Sequence, residues 1–198
     1  MRKGSSEGLT AKQKLTMFHD SGISAAAALG MQDEDITFDL LLRHVKPLNL
    51  ITAGIRGTTL KKIGVREASQ LRRLGFDALH LVDAGWCEDA SAAYGASNII
   101  SAFLVSANDA VALSGSEAVK TLNISVETLL EACAGAPVEA ASVLQQSTNP
   151  RPLQGVQASV LLDTGIRSQQ LKQLGYGLVS LQSMMNLTAA QARKLGFV

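Results

Sequence analysis

A ladder of glycines limits how this chain can fold more than any other feature. Gly54, Gly64, Gly75, Gly85 and Gly95 follow one another at steps of 10, 11, 10 and 10. A second ladder, Gly155, Gly165, Gly175, Asn186 and Gly196, steps by 10, 10, 11 and 10. In the first ladder each glycine is followed by an apolar residue: Ile55, Val65, Phe76, Trp86 and Ala96. Leu60, Leu71 and Leu81 lie four residues before their glycines. This spacing predicts short helices ending in Schellman turns. Glycine reaches positive φ without a Cβ clash, and the apolar residue after it packs back on the last helical turn. Leu71 with Phe76 and Leu81 with Trp86 are the expected pairs.

The same apolar residue then opens the next helix, and the residue after it is the expected N-cap. Asp77, Ser24, Ser125 and Thr188 fill that place with good capping side chains. Thr188 with Gln191 and Thr10 with Gln13 have capping-box spacing, and Phe76 with Leu81 has the spacing of a hydrophobic staple. About six helical residues remain per unit, under two turns at 3.6 residues per turn. Helices shorter than roughly 12–15 residues are marginal alone in water. Each unit must therefore be stabilised by its neighbours. The expected fold is all-α, a solenoid-like stack of short helices separated by Gly/Asn Schellman turns. A single long helix with an eleven-residue period is the competing reading. It is disfavoured because each glycine in its interior costs about 1 kcal/mol.

The remaining sequence divides around these ladders. Residues 1–8 read as a flexible leader, and 9–146 as an N-terminal stack of helical repeats. Within that stack, Thr10–Ser21, Ser24–Leu29 and Phe38–Lys46 are expected helices, the last stopped by Pro47. The pattern loosens between 107 and 147, where Asn123-Ile124-Ser125 and Gly135-Ala136-Pro137 keep the punctuation. Residues 147–154, containing Pro150 and Pro152, read as a loop and a candidate hinge. Residues 155–198 are the C-terminal repeats. Gly165-Ile-Arg-Ser-Gln-Gln-Leu-Lys-Gln-Leu-Gly175 matches Gly54-Ile-Arg-Gly-Thr-Thr-Leu-Lys-Lys-Ile-Gly64 closely when the two are aligned on their glycines, suggesting two related halves. The final Leu195-Gly196-Phe197 breaks off in mid-pattern, so its apolar residues are expected to meet a partner surface.

Leu71-Arg-Arg-Leu-Gly75-Phe76, Leu171-Lys-Gln-Leu-Gly175-Tyr176 and Arg193-Lys-Leu-Gly196-Phe197 resemble a known repeat. They look like the short Leu-x-x-x-Gly-Phe/Tyr helical repeats found in arrays in many protist and algal proteins. The resemblance covers roughly half of the chain. It implies a stacked helical scaffold and implies no catalytic residues. A second likeness is local. Thr52-Ala-Gly54-Ile55-Arg56-Gly57-Thr-Thr-Leu60 is similar to the hairpin of helix-hairpin-helix modules. There a Gly-apolar-x-Gly turn offers backbone N–H groups to a nucleic-acid phosphate. The matching turn at Gly165 has Ser168 in place of the second glycine.

Charge is segregated along the chain. Arg56, Lys61, Lys62, Arg66, Arg72 and Arg73, opposed only by Glu67, give residues 56–73 a net +5. Residues 77–139 carry nine acids and one base, Lys120, for −8, and residues 140–198 carry +4. The whole chain is only +1, unlike a typical nucleic-acid binder. Such blocks orient association with charged partners, including other copies of the chain. The six basic residues are the candidate partner-binding set.

Apolar residues make up 46% of the 198 residues and charged residues 18%, which places the chain among globular proteins. Aromatics are only 4%, so Trp86 and Tyr94 are expected to pack rather than project. Cys87 and Cys133 read as buried free thiols of an intracellular, reducing compartment, cytoplasmic or organellar. The most apolar piece, Ile99–Ala107, is too short to span a membrane and reads as a buried helix. The N-terminus has no hydrophobic signal core.

Catalytic patterns are weak. His19, His44 and His80 have no Cys or His at metal-ligand spacing. His19-Asp20 and His80 with Asp83 lack a nucleophile. Cys87 sits among acids, which raises a thiol pKa. Asp33-Glu34-Asp35 lacks the glycine and distal Glu of a calcium loop. No metal or cofactor is expected, and no catalysis. The expected function is a scaffold or structural subunit binding other proteins over an extended surface. The alternative is a nucleic-acid-binding module using the Gly54–Gly57 turn.

Overall fold

The computed structural model describes residues 56–62 and 64–197. The leader, the three expected helices before Pro47, the caps at Thr10 and Ser24, His19, His44, the Asp33–Asp35 acids and the Gly54 turn lie outside the described residues. Among the described residues the chain is all-helical, with twelve α-helices, one 3₁₀ turn and no strand. In order they are α1 (Gly57–Lys62), α2 (Ala68–Arg73), the 3₁₀ turn (Ala78–Val82), α3 (Ala84–Tyr94) and α4 (Ala96–Phe103). Then follow α5 (Ala107–Ser114), α6 (Glu117–Leu122), α7 (Val126–Ala132) and α8 (Pro137–Gln146). The last four are α9 (Ala158–Asp163), α10 (Ser168–Gln173), α11 (Leu178–Met185) and α12 (Ala189–Leu195).

Schellman turns form at four of the described ladder positions, Gly64, Gly75, Gly175 and Gly196. Gly75 has φ +94°. The Phe76 N–H donates to the Leu71 carbonyl at 3.1 Å, and the Gly75 N–H to the Arg72 carbonyl at 2.9 Å. These are the two bonds of the motif. The same pair closes α1 at Gly64-Val65, α10 at Gly175-Tyr176 and α12 at Gly196-Phe197. Asn123 and Asn186 take the left-handed conformation in glycine's place, at φ 54° and 50°. At Gly165 a hydroxyl intervenes. Thr164, fully buried, donates through Oγ1 to the Leu161 carbonyl at 2.7 Å and accepts from the Ile166 N–H at 3.3 Å.

Helix starts follow the capping residues. Asp77 accepts from the Leu79 and His80 N–H groups, Ser125 from Thr128, and Thr188 from Gln191. Pro137 is the first residue of α8, where its missing N–H costs nothing. Not every expected turn forms. The Gly95 N–H donates to the Ser91 carbonyl and the Gly155 N–H to the Met184 carbonyl, without the paired bonds of the motif, although both keep a positive φ. Gly85 is the second residue of α3 rather than the end of a helix, and Trp86 lies in that helix's first turn. Asp83 displaces the punctuation. Its carboxylate accepts the Trp86 N–H at 3.0 Å and its carbonyl the Cys87 N–H at 2.9 Å, starting a helix ahead of the glycine. The Leu81–Trp86 Schellman pair is therefore absent. The Ile99–Ala107 piece is also shorter as a helix than expected. α4 ends at Phe103, and Ser106 caps the next helix by accepting the Asp109 N–H at 3.2 Å. Ile99 and Phe103 are buried as expected, but Val105 is exposed.

The chain divides into two compact units. The first runs up to Phe76 and includes Asp89–Ala102; the second combines Asp77–Glu88 with Phe103–Val198. Helix α3 supplies residues to both. In the first unit Gly57 packs against Ala90, Thr58 bonds to Asp89, and the buried Tyr94 hydroxyl donates to the Val65 carbonyl at 2.9 Å. In the second unit α5 packs on the 3₁₀ turn and on α8, α7 on α9, and α9 on α12. These partners lie three steps of the repeat apart along the chain. Backbone bonds show the same interval: Gly135 N–H to Asp163 carbonyl at 2.8 Å, and Gly155 N–H to Met184 carbonyl at 3.2 Å. The loop around residues 147–157 lies inside the second unit and is tied down by the buried Pro152, Leu153 and Val156.

Candidate interaction surface

The six basic residues singled out in the sequence all fall in the first unit. Lys61 and Lys62 form the last turn of α1, and Arg72 and Arg73 the last turn of α2. Cations there are favoured by the helix dipole, which is a structural reason for their position. Arg56, Lys61, Lys62, Arg66 and Arg73 are exposed, and Arg72 is half-buried. They are not equivalent. Lys61 Nζ donates to the Ala93 carbonyl and lies 5.6 Å from the centroid of the Tyr94 ring. Its ammonium is thus engaged partly by the fold. Arg56, Arg72 and Arg73 each make an interaction within the chain. Tyr94 is held neutral, because burial and then the charge of Asp89 push its pKa up.

The start of α1, which follows the turn similar to a helix-hairpin-helix hairpin in the sequence, is occupied by a carboxylate. The Thr58 N–H donates to Asp89 Oδ2 at 2.9 Å, and its hydroxyl to Asp89 Oδ1 at 2.8 Å. These donors at the start of α1 are the kind a phosphate would use. They are satisfied instead by a carboxylate from α3, which acts as an N-cap supplied from a distant part of the chain. Gly57 has its own reason to lack a side chain. A Cβ there would lie 2.7 Å from the Ala90 Cα, an impossible approach.

The equivalent place in the second ladder is explained by the same kind of contact. Ser168, which aligns with Gly57 when the two ladders are matched on their glycines, donates through Oγ to the Gly196 carbonyl at 2.8 Å. Beside it Arg167 Nη1 donates to the Lys194 carbonyl at 2.6 Å. Two carbonyls at the end of α12 are satisfied by side chains from the start of α10. Each position therefore has the residue demanded by the helix packed across from it. Asp89 was missed in the sequence because it lies in an acidic run with no motif. Its separation from Thr58, three repeat steps, is the signal that would have found it.

Two clefts lie on the surface formed by the described residues. One of about 340 Å³ in the second unit is lined by Ile124, Pro152, Val156, Ser125, Glu127 and Asn149 among others. Its carboxylate is occupied, since Glu127 Oε1 accepts the Gln157 N–H at 3.0 Å. The other, about 300 Å³ in the first unit, lies between Glu67 and Ser69 of one segment and Asn98 and Ser101 of α4.

Cys87 and Cys133 are buried free thiols. Burial, with Glu88 beside Cys87 and Glu139 beside Cys133, pushes both up to about 11, so neither carries nucleophilic thiolate near neutral pH. Among the described residues no three His, Cys, Asp or Glu side chains are grouped as metal ligands, and no helix is long and apolar enough to cross a membrane. Compared with known protein families, curated proteins and solved structures, the chain matches none of them.

Proposed function

We propose that this protein is a non-catalytic scaffold or structural subunit that binds other proteins through the surface of its helical repeats. One observation carries the reading: helix ends are bonded to other helix ends three repeat steps away. Gly135 to Asp163, Gly155 to Met184, Gln157 to Glu127 and Ser168 to Gly196 are four such ties in the second unit. This uses the polar groups of the helix termini to hold short helices in place and leaves their outer faces for contact. A repeat stack offers an extended surface rather than a single pocket. The likeness to Leu-x-x-x-Gly-Phe/Tyr repeats agrees with it. Segregated charge would orient partners, or a second copy, during association.

The test is the native size of the protein in its own cell extract, followed by cross-linking and mass spectrometry of what co-migrates. Migration in a large assembly, with cross-links from several repeats, is expected. Migration near the 20.8 kDa of the free chain would overturn the reading.

The nucleic-acid alternative rests on the exposed Lys62, Arg66 and Arg73. It has to contend with Asp89, which fills the anion-binding end of α1. A titration with labelled DNA or RNA at two salt concentrations separates the two readings. Tight binding that weakens steeply with salt would favour the alternative.

A further inference from the structure

We draw no further inference here: the strongest candidate, the cleft of about 340 Å³ in the second unit between the α6–α7 junction and the loop at 147–156, has Glu127 as the one charged side chain in its lining, that carboxylate already accepts the Gln157 N–H, and nothing in the structure shows what would fill the cleft.

Discussion

Among single residues, two glycines serve different ends. Gly75 has a positive φ, and any Cβ there strains the backbone. Gly57 is required by a neighbour, since a Cβ would lie 2.7 Å from the Ala90 backbone. Gly57→Ala should therefore destabilise by about 1–3 kcal/mol, the usual cost of overpacking. Gly75→Val should cost at least as much, because a β-branched residue at positive φ is a genuine outlier, whereas Gly75→Asn should recover much of the loss. Urea midpoints of the three variants check both. A Gly57→Ala protein that melts like the parent would mean that Ala90 moves aside cheaply. The role of Gly75 was legible from spacing alone, because the Schellman turn is local. The role of Gly57 was not. Its neighbour Ala90 belongs to α3, three repeat steps further along the chain, and its likeness to a phosphate-binding turn pointed elsewhere.

Within each element, short helices depend on how their ends are satisfied. Local caps at Asp77, Ser125 and Thr188 follow from side chains one or a few residues away. The cap on α1 does not, because it comes from Asp89. Asp89→Ala should cost about 0.5–2 kcal/mol, as for other lost N-caps. Combining it with Thr58→Val should add little, because Asp89→Ala already removes the partner of the Thr58 hydroxyl. Additive losses in that double-mutant cycle would mean that the two residues act independently. The Gly85 turn shows the limit of periodicity. The glycine keeps the ten-residue step, but the Asp83 cap two residues before it starts a helix there, and α3 runs through to Tyr94. A cap and a C′ glycine compete for the same stretch, and the ladder does not say which one wins.

Across the whole molecule, the buried thiols couple folding to pH. Cys87 and Cys133 are pushed from 9.0 up to about 11, burial being the larger cause for each. Burial raises Tyr94 and Tyr176 as well. These groups release protons more readily when unfolded. The contribution of the thiols is complete below about pH 9 and is lost as pH rises towards 11. Denaturant midpoints should fall across that window, and a Cys87→Ala, Cys133→Ala variant should fall less. Stability that stays flat there would show that the thiols are not held in an apolar setting. The helical class, the place of most turns and several caps follow from the amino-acid order alone, because they depend on residues within one unit of each other. Packing in three dimensions sets what lies three steps away: Asp89 on Thr58, Ala90 against Gly57, the Gly196 carbonyl on Ser168. Those contacts depend on how the short helices pack across one another, and a ten-residue repeat specifies the unit but not its distant neighbour.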